Sequence, residues 1–222
     1  IVMAAMGWKG VANVWAVGLI VAAVIFFAFT KDDPELAARR ASGTKPRSFA
    51  AQFEPLRSVQ VWRFSLYYFF VFGAFVALAL WLPRYLIGVY GLDITAAGMI
   101  GAAYSVPASV FRAYGGHLSD KYGARRIMYW TFFVSVLVTF ILSYPPTQYT
   151  IKGITGPISF HMETGVGTFT VLVFVLGFFM SLGKAAVYKH IPVYYPNHVG
   201  SVGGLVGMIG GLGGFVLPIA FG

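Results

Sequence analysis

Residues 94–126 read ITAAGMIGAAYSVPASVFRAYGGHLSDKYGARR. From Ile94 to Leu118 the residues are apolar, small or aromatic apart from Arg112, and the next charge is Asp120. The stretch exceeds the ~20 residues a helix needs to cross the hydrocarbon core of a bilayer. It ends in a polar, basic turn, so a membrane span emerging into a positive loop is predicted. Arg near the middle of such a helix costs ~2.5–3.5 kcal/mol on insertion scales and usually faces a bundle interior or a water-filled cavity. Its guanidinium keeps its proton, and the planar fork suits flat, delocalised oxyanions. Arg112 therefore reads first as an anion-binding group in a transport path. The alternative is an Arg that snorkels to the nearer interface.

The rest of the chain matches this span. Apolar runs lie near Val11–Thr30, Phe64–Leu86, Ile127–Tyr144, Thr168–Pro192 and Gly200–Phe221, so six transmembrane helices are expected in an all-α membrane protein. Hydrophobic residues make up 58% and charged residues 10%, with mean hydropathy +0.76, too little polar surface for a water-soluble globule. The runs lack the two-residue alternation of membrane strands, which excludes a barrel. Of sixteen Lys and Arg, seven lie from Lys31 to Arg63, and Lys121, Arg125 and Arg126 follow the third span. The positive-inside rule puts both segments in the cytoplasm, with Lys189, His190 and His198, and leaves residues 144–167 outside as a loop without helical period. The net charge of +9 then reflects topology, and no nucleic-acid partner is expected. The lipid bilayer is. No cysteine is present, which removes disulfides, thiolate nucleophiles and Cys-based metal sites; no cofactor is expected.

Residues 31–63 form a polar segment far longer than the usual ~4–6-residue connection and are expected to separate two bundles. The chain opens at Ile1 without an initiator Met and closes soon after Pro218, so we expect a piece of a longer protein.

Two segments carry a family resemblance. Gly116-His-Leu-Ser-Asp120-Lys121-Tyr-Gly123-Ala-Arg125-Arg126 resembles the cytoplasmic loop signature of the major facilitator superfamily, with Ala124 where a basic residue is usual. Taken without the family, it reads as an ordinary positive-inside turn. The last span carries Gly200, Gly203, Gly204, Gly207, Gly210, Gly211, Gly213 and Gly214 at spacings that put most on one helical face, where another backbone can approach closely. Together with Arg112 eight residues before Asp120, and with Tyr68, Phe72 and Gly73 in the Tyr-x-x-x-Phe-Gly pattern, these segments resemble the nitrate/nitrite porter family of that superfamily. The resemblance implies a substrate held between aromatics by two Arg residues, one from each half, with Arg112, Tyr68, Phe72, Gly207 and Gly211 on the substrate side here. It implies that Gly116, Asp120, Lys121, Gly123, Arg125 and Arg126 form a gating loop whose carboxylate holds neighbouring helices together in one state. It also implies a division into 1–30 as the last helix of an N-terminal bundle missing from this chain, 31–63 as a cytoplasmic inter-bundle linker, and 64–222 as five helices of the C-terminal bundle. The physics agrees: residues four apart share a helical face, and Tyr68 and Phe72 offer an apolar wall and a hydroxyl donor to a planar, loosely hydrated anion. Without the resemblance, those aromatics would be read as core or lipid-facing.

Gly183-Lys184-Ala185-Ala-Val-Tyr188-Lys189-His190-Ile-Pro192 is no phosphate loop, because Ala185 stands where a hydroxyl is required. Lys184 within the fifth span reads as a second cation for anion selection, or as a snorkelling Lys. All seven acids lie in loops or at span ends, which disfavours cation transport and leaves Lys184, His190, water or the missing half to carry any coupled proton. The expectation is secondary active transport of nitrate or nitrite across the cytoplasmic membrane by alternating access, as proton symport or as nitrate/nitrite exchange. A facilitator for another small anion is the nearer alternative, and a non-transporting sensor or assembly module the more distant one. Enzyme motifs, including His-Glu-x-x-His and a nucleophile elbow, are absent.

Overall fold

With no water in the hydrocarbon core to satisfy amides, a spanning segment must bond its own backbone, and the apolar runs do so as helices. The computed structural model of the chain describes residues 2–31, 38, 41–43, 50–154 and 156–221. Among them are six helices long and apolar enough to cross a membrane. We label them α1 (Val2–Phe29), α2 (Val59–Tyr90), α3 (Ile94–Tyr122), α4 (Ala124–Leu142), α5 (Val166–Tyr194) and α6 (Val199–Ala220). The chain divides into two units, residues 1–49 and 50–222. In the first, α1 is apolar from Met6 onward and leaves the helical path at Gly7, where φ is 66°.

The second unit begins with a 3₁₀ helix, Ala50–Arg57, and α2 follows at Val59. The Trp62 indole donates to the Leu56 carbonyl at 2.8 Å, and Val61 is fully buried, which fixes the start of α2. Residues 59–63 of the expected linker are thus helical: the charge of Arg63 hid a turn whose other face is apolar. Residues 50–57 of the linker are the 3₁₀ helix, and residues 32–37, 39–40 and 44–49 lie outside the described residues. Asp93 caps α3 by accepting from the Thr95 and Ala96 amides at 2.9 and 3.2 Å, so this loop acid has a structural task.

Helix α5 is the centre of the unit and packs most extensively against α3 and α4, while α6 packs along α2. The core falls into two clusters along the length of the helices. One surrounds Phe64, Tyr68, Leu182 and Val187 near the end that carries the α3–α4 turn, and the other surrounds Phe75, Leu86, Tyr104 and Met180 towards the opposite end. Between them α2 contains a π turn, Phe69–Ala74.

Residues 144–167 correct one expectation. They contain an antiparallel hairpin, β1 (Thr147–Gly153) and β2 (Gly156–Met162), although the bundle itself is entirely helical. The register pairs Tyr149 with Phe160 and Ile151 with Ile158 on one apolar face, and Thr150 with Ser159 on a polar one. The strand alternation is only about seven residues long on each side, so it was masked by the surrounding Pro and Gly.

Candidate functional site

The π turn decides what surrounds Arg112. Tyr68 is the last residue before it and Phe72 lies within it, and their rings stack with centroids 5.0 Å apart and planes 5° from parallel. Residues four apart do share a face here, but as a stacked pair rather than two separate panels. Tyr68 is buried, only 4% exposed. Its ring meets that of Tyr188 from α5 edge-on at 5.0 Å. The guanidinium carbon of Arg112 stands 5.7 Å from the Tyr188 ring centroid, within cation–π range. Helices α2, α3 and α5 thus converge on one constellation, with Arg112 at its exposed edge.

The glycine-rich helix α6 lies behind these rings. The Tyr188 hydroxyl donates to the Gly203 carbonyl at 3.3 Å. A Cβ placed on Gly207 would come within 2.9 Å of that hydroxyl, and one on Gly210 would collide with the Tyr68 ring. Lower on the helix, Gly73 of α2 meets α6 backbone to backbone: a Cβ there would sit 2.7 Å from the Gly210 oxygen and 2.8 Å from the Gly213 Cα. The close backbone approach expected of the glycine face therefore falls on Gly210 and Gly213, with the ring of Tyr188 held over Gly207. Gly211 has open space around it and faces away from these contacts.

Lys184 is buried, 4% exposed, one turn of α5 before Tyr188. Its ammonium lies 3.1 Å from the centroid of the Phe75 ring. Arg112 is near enough to repel it. No ion pair neutralises Lys184 among the described residues, so two cations and four aromatic rings make a locally positive, partly dry site. His190 does not join them: it stacks on Phe64 at 5.3 Å, nearer the end of α5.

The loop signature sits at that same end. Gly123 has φ 87°, a backbone conformation that a side chain strains, and it makes the turn from α3 into α4. Asp120 accepts from Lys189 of α5 at 2.6 and 2.8 Å. Arg125 donates to the Tyr129 hydroxyl at 3.0 Å, and the ammonium of Lys121 lies 5.1 Å from the ring centroid of Tyr122. Arg126 is exposed. Gly116 has open space, and the neighbouring Gly115 takes the tight contact instead, its hydrogen facing the Leu182 backbone.

Three residues escaped the reading of the sequence as parts of the site. Tyr188 had a signal, since it lies four residues after Lys184 and so shares its face. Lys189 as the partner of Asp120 and Phe75 as the platform for Lys184 had none, because both contacts join different helices. Among the described residues no group of three or more His, Asp or Glu could hold a metal. An apolar cavity of roughly 480 Å³ lies elsewhere, lined by Trp81, Tyr85, Phe169 and Phe221, and no charged side chain borders it.

Comparison with known proteins fits this architecture. The family model of the Major Facilitator Superfamily matches residues 1–220. The chain is 48% identical over 218 residues to a Thermus thermophilus protein named probable nitrate/nitrite antiporter NarK1, covering 97% of this chain and 47% of the relative. It is 29% identical over 219 residues to the nitrite extrusion protein of Bacillus subtilis (99% and 49% covered). It is also 29% identical over 216 residues to the probable nitrate transporter NarT of Staphylococcus haemolyticus (96% and 49%). The chain spans about half the length of these relatives. No solved structure matches it. With a family match over nearly its whole length and six apolar helices, the chain is a multi-pass membrane protein that belongs to the major facilitator superfamily.

Proposed function

We propose that the full-length protein is a secondary transporter of nitrate and nitrite in the cytoplasmic membrane, and that this chain supplies one half of its anion site. The observation that carries the reading is Arg112 standing over Tyr188 beside the stacked Tyr68–Phe72 pair. A planar anion slots against such rings while the guanidinium fork bonds its oxygens. The exposed edge of Arg112 is where a second bundle would close the site, and α6 moves against α2 along the glycine contacts as it does so. Residues 1–30 act as the last helix of the first bundle, 31–58 as the linker and 59–222 as the second bundle. Asp120 and Lys189 lock α3 to α5 in one of the two access states, and Gly211 presents bare backbone to the path. No covalent step occurs.

Lys184 adds a second positive charge that raises anion occupancy, and it is the residue through which a proton could couple to transport. One relative is named a probable nitrate/nitrite antiporter, which supports exchange as the leading mode, while the other two names give nitrite or nitrate without a coupling mode. Proteoliposomes of the full-length protein test both parts. Nitrate uptake accelerated by internal nitrite, insensitive to an imposed pH gradient and lost in Arg112→Lys is the expected result. Uptake that follows the pH gradient would replace exchange by symport, and absence of flux of either anion in folded protein overturns the assignment.

A further inference from the structure

The basic end of the second unit holds a cavity that the anion site does not use. It measures roughly 330 Å³ and lies between the start of α2, the start of α4 and the end of α5. Arg63, Arg125 and His190, one from each helix, line it together with Gln60 and three Tyr residues, and no carboxylate does. Among the described residues the acids in ion pairs are Asp120, with Lys189, and Glu163, with His161, so neither Arg is neutralised. Arg125 spends its Nε–H on the Tyr129 hydroxyl, which leaves the two terminal nitrogens of its fork.

The start of α4 adds to this charge. Gly123 has no side chain with which to cap the helix, and no acid stands in the first turn, where the free amides carry partial positive charge. Cations in that position are unfavourable by themselves, and an oxyanion beside them reverses the sign. Opposite, the half-buried rings of Tyr67 and Phe132 meet edge-on at 5.3 Å and give an apolar flank, backed by the buried Phe64 stacked on His190. Basic pockets between helices on the cytoplasmic side of a membrane suit phosphate head groups.

We propose that this cavity binds the phosphate of an anionic membrane lipid, with Arg63 and Arg125 on its non-ester oxygens and the Tyr67–Phe132 side taking glycerol and acyl carbons. Tyr68, Tyr188 and Arg112 do not border it, so the proposal stands apart from the transport reading. A free phosphate would present the same oxygens, and the test separates the two.

Full-length protein stripped of lipid is titrated with phosphatidylglycerol or phosphatidylcholine, and bound lipid is counted by native mass spectrometry. Wild type retains phosphatidylglycerol over phosphatidylcholine, and R63Q/R125Q loses about tenfold of that retention, the scale of two lost charge-assisted contacts. The single variant R63K keeps the charge without the fork and falls between them, so the site remains testable if the double variant does not fold. Arg84→Gln, at the opposite end of α2, retains lipid like wild type. Equal retention by wild type and R63Q/R125Q, or an equal loss in Arg84→Gln, overturns the proposal. So does inorganic phosphate that raises the unfolding temperature through Arg63 while phosphatidylglycerol does not bind, which would make this a soluble-phosphate site.

Discussion

The carboxylate of Asp120 accepts at both oxygens from Lys189, 2.6 and 2.8 Å away, and thereby ties the end of α3 to the end of α5. Both side chains are about half exposed, 61% and 44% respectively, so the pair contributes at most ~1 kcal/mol to the fold. D120N is therefore expected to shift the unfolding temperature little while changing transport rate several-fold, on the proposed reading that the pair forms in one access state and breaks in the other. A charge-swapped D120K/K189D protein should recover part of the rate. A double-mutant cycle on flux reads this directly, and independent, additive effects would remove the pair from gating.

Glycine contacts give a sharper contrast. G73A places a methyl group against the α6 backbone with no flexible side chain to yield, and a loss of ~1–3 kcal/mol is expected. G211A meets open space and should leave stability within ~0.5 kcal/mol of wild type. Thermal unfolding in detergent compares the two, and a slower flux in G211A at unchanged stability would put the open face on the transport path.

Lys184 is predicted to trade stability for function. K184M keeps the length of the side chain and removes a buried, unneutralised charge, so the unfolding temperature should rise, by the equivalent of ~1–3 kcal/mol. Anion affinity should fall at least several-fold in the same protein. A K184M that is both less stable and fully active would show that the ammonium serves packing alone.

Tyr188 separates ring from hydroxyl. Y188F retains the face beneath Arg112 and loses the 3.3 Å bond to Gly203, so KM for nitrate should stay within about threefold of wild type. Y188A removes the face as well and should raise KM about tenfold or more. Counterflow of labelled nitrate measures both, and equal effects would assign the residue's role to its hydroxyl.

Apolar continuity made the helices readable: expected spans such as Ile94–Leu118 and Thr168–Pro192 fall inside α3 and α5, and α3 runs on past its expected end because Asp120 and Lys121 occupy a helical turn. Arg112 was legible for the same reason, as one charge in an apolar field. Contacts between helices were not. The Tyr68–Tyr188 edge, the Asp120–Lys189 pair and the seat of Lys184 on Phe75 depend on which faces meet, and a periodic pattern within one helix carries no such information. His190, grouped with Lys184 by proximity in the chain, faces a different cavity because six residues of helix advance it about 9 Å towards the basic end.

Helix α2 reaches both cores through its π turn, and this has a consequence for phase. A π turn takes in one residue more than a regular turn, equivalent to about 100° of azimuth at 3.6 residues per turn. Tyr68 before the turn and Phe75 after it are therefore aimed independently, one at Tyr188 and the other at Lys184. Regularising residues 69–74 would leave the composition of α2 almost untouched and yet rotate every side chain from Phe75 to Tyr90 away from its partner. In this helix the orientation of the far half is stored in the count of residues across one turn.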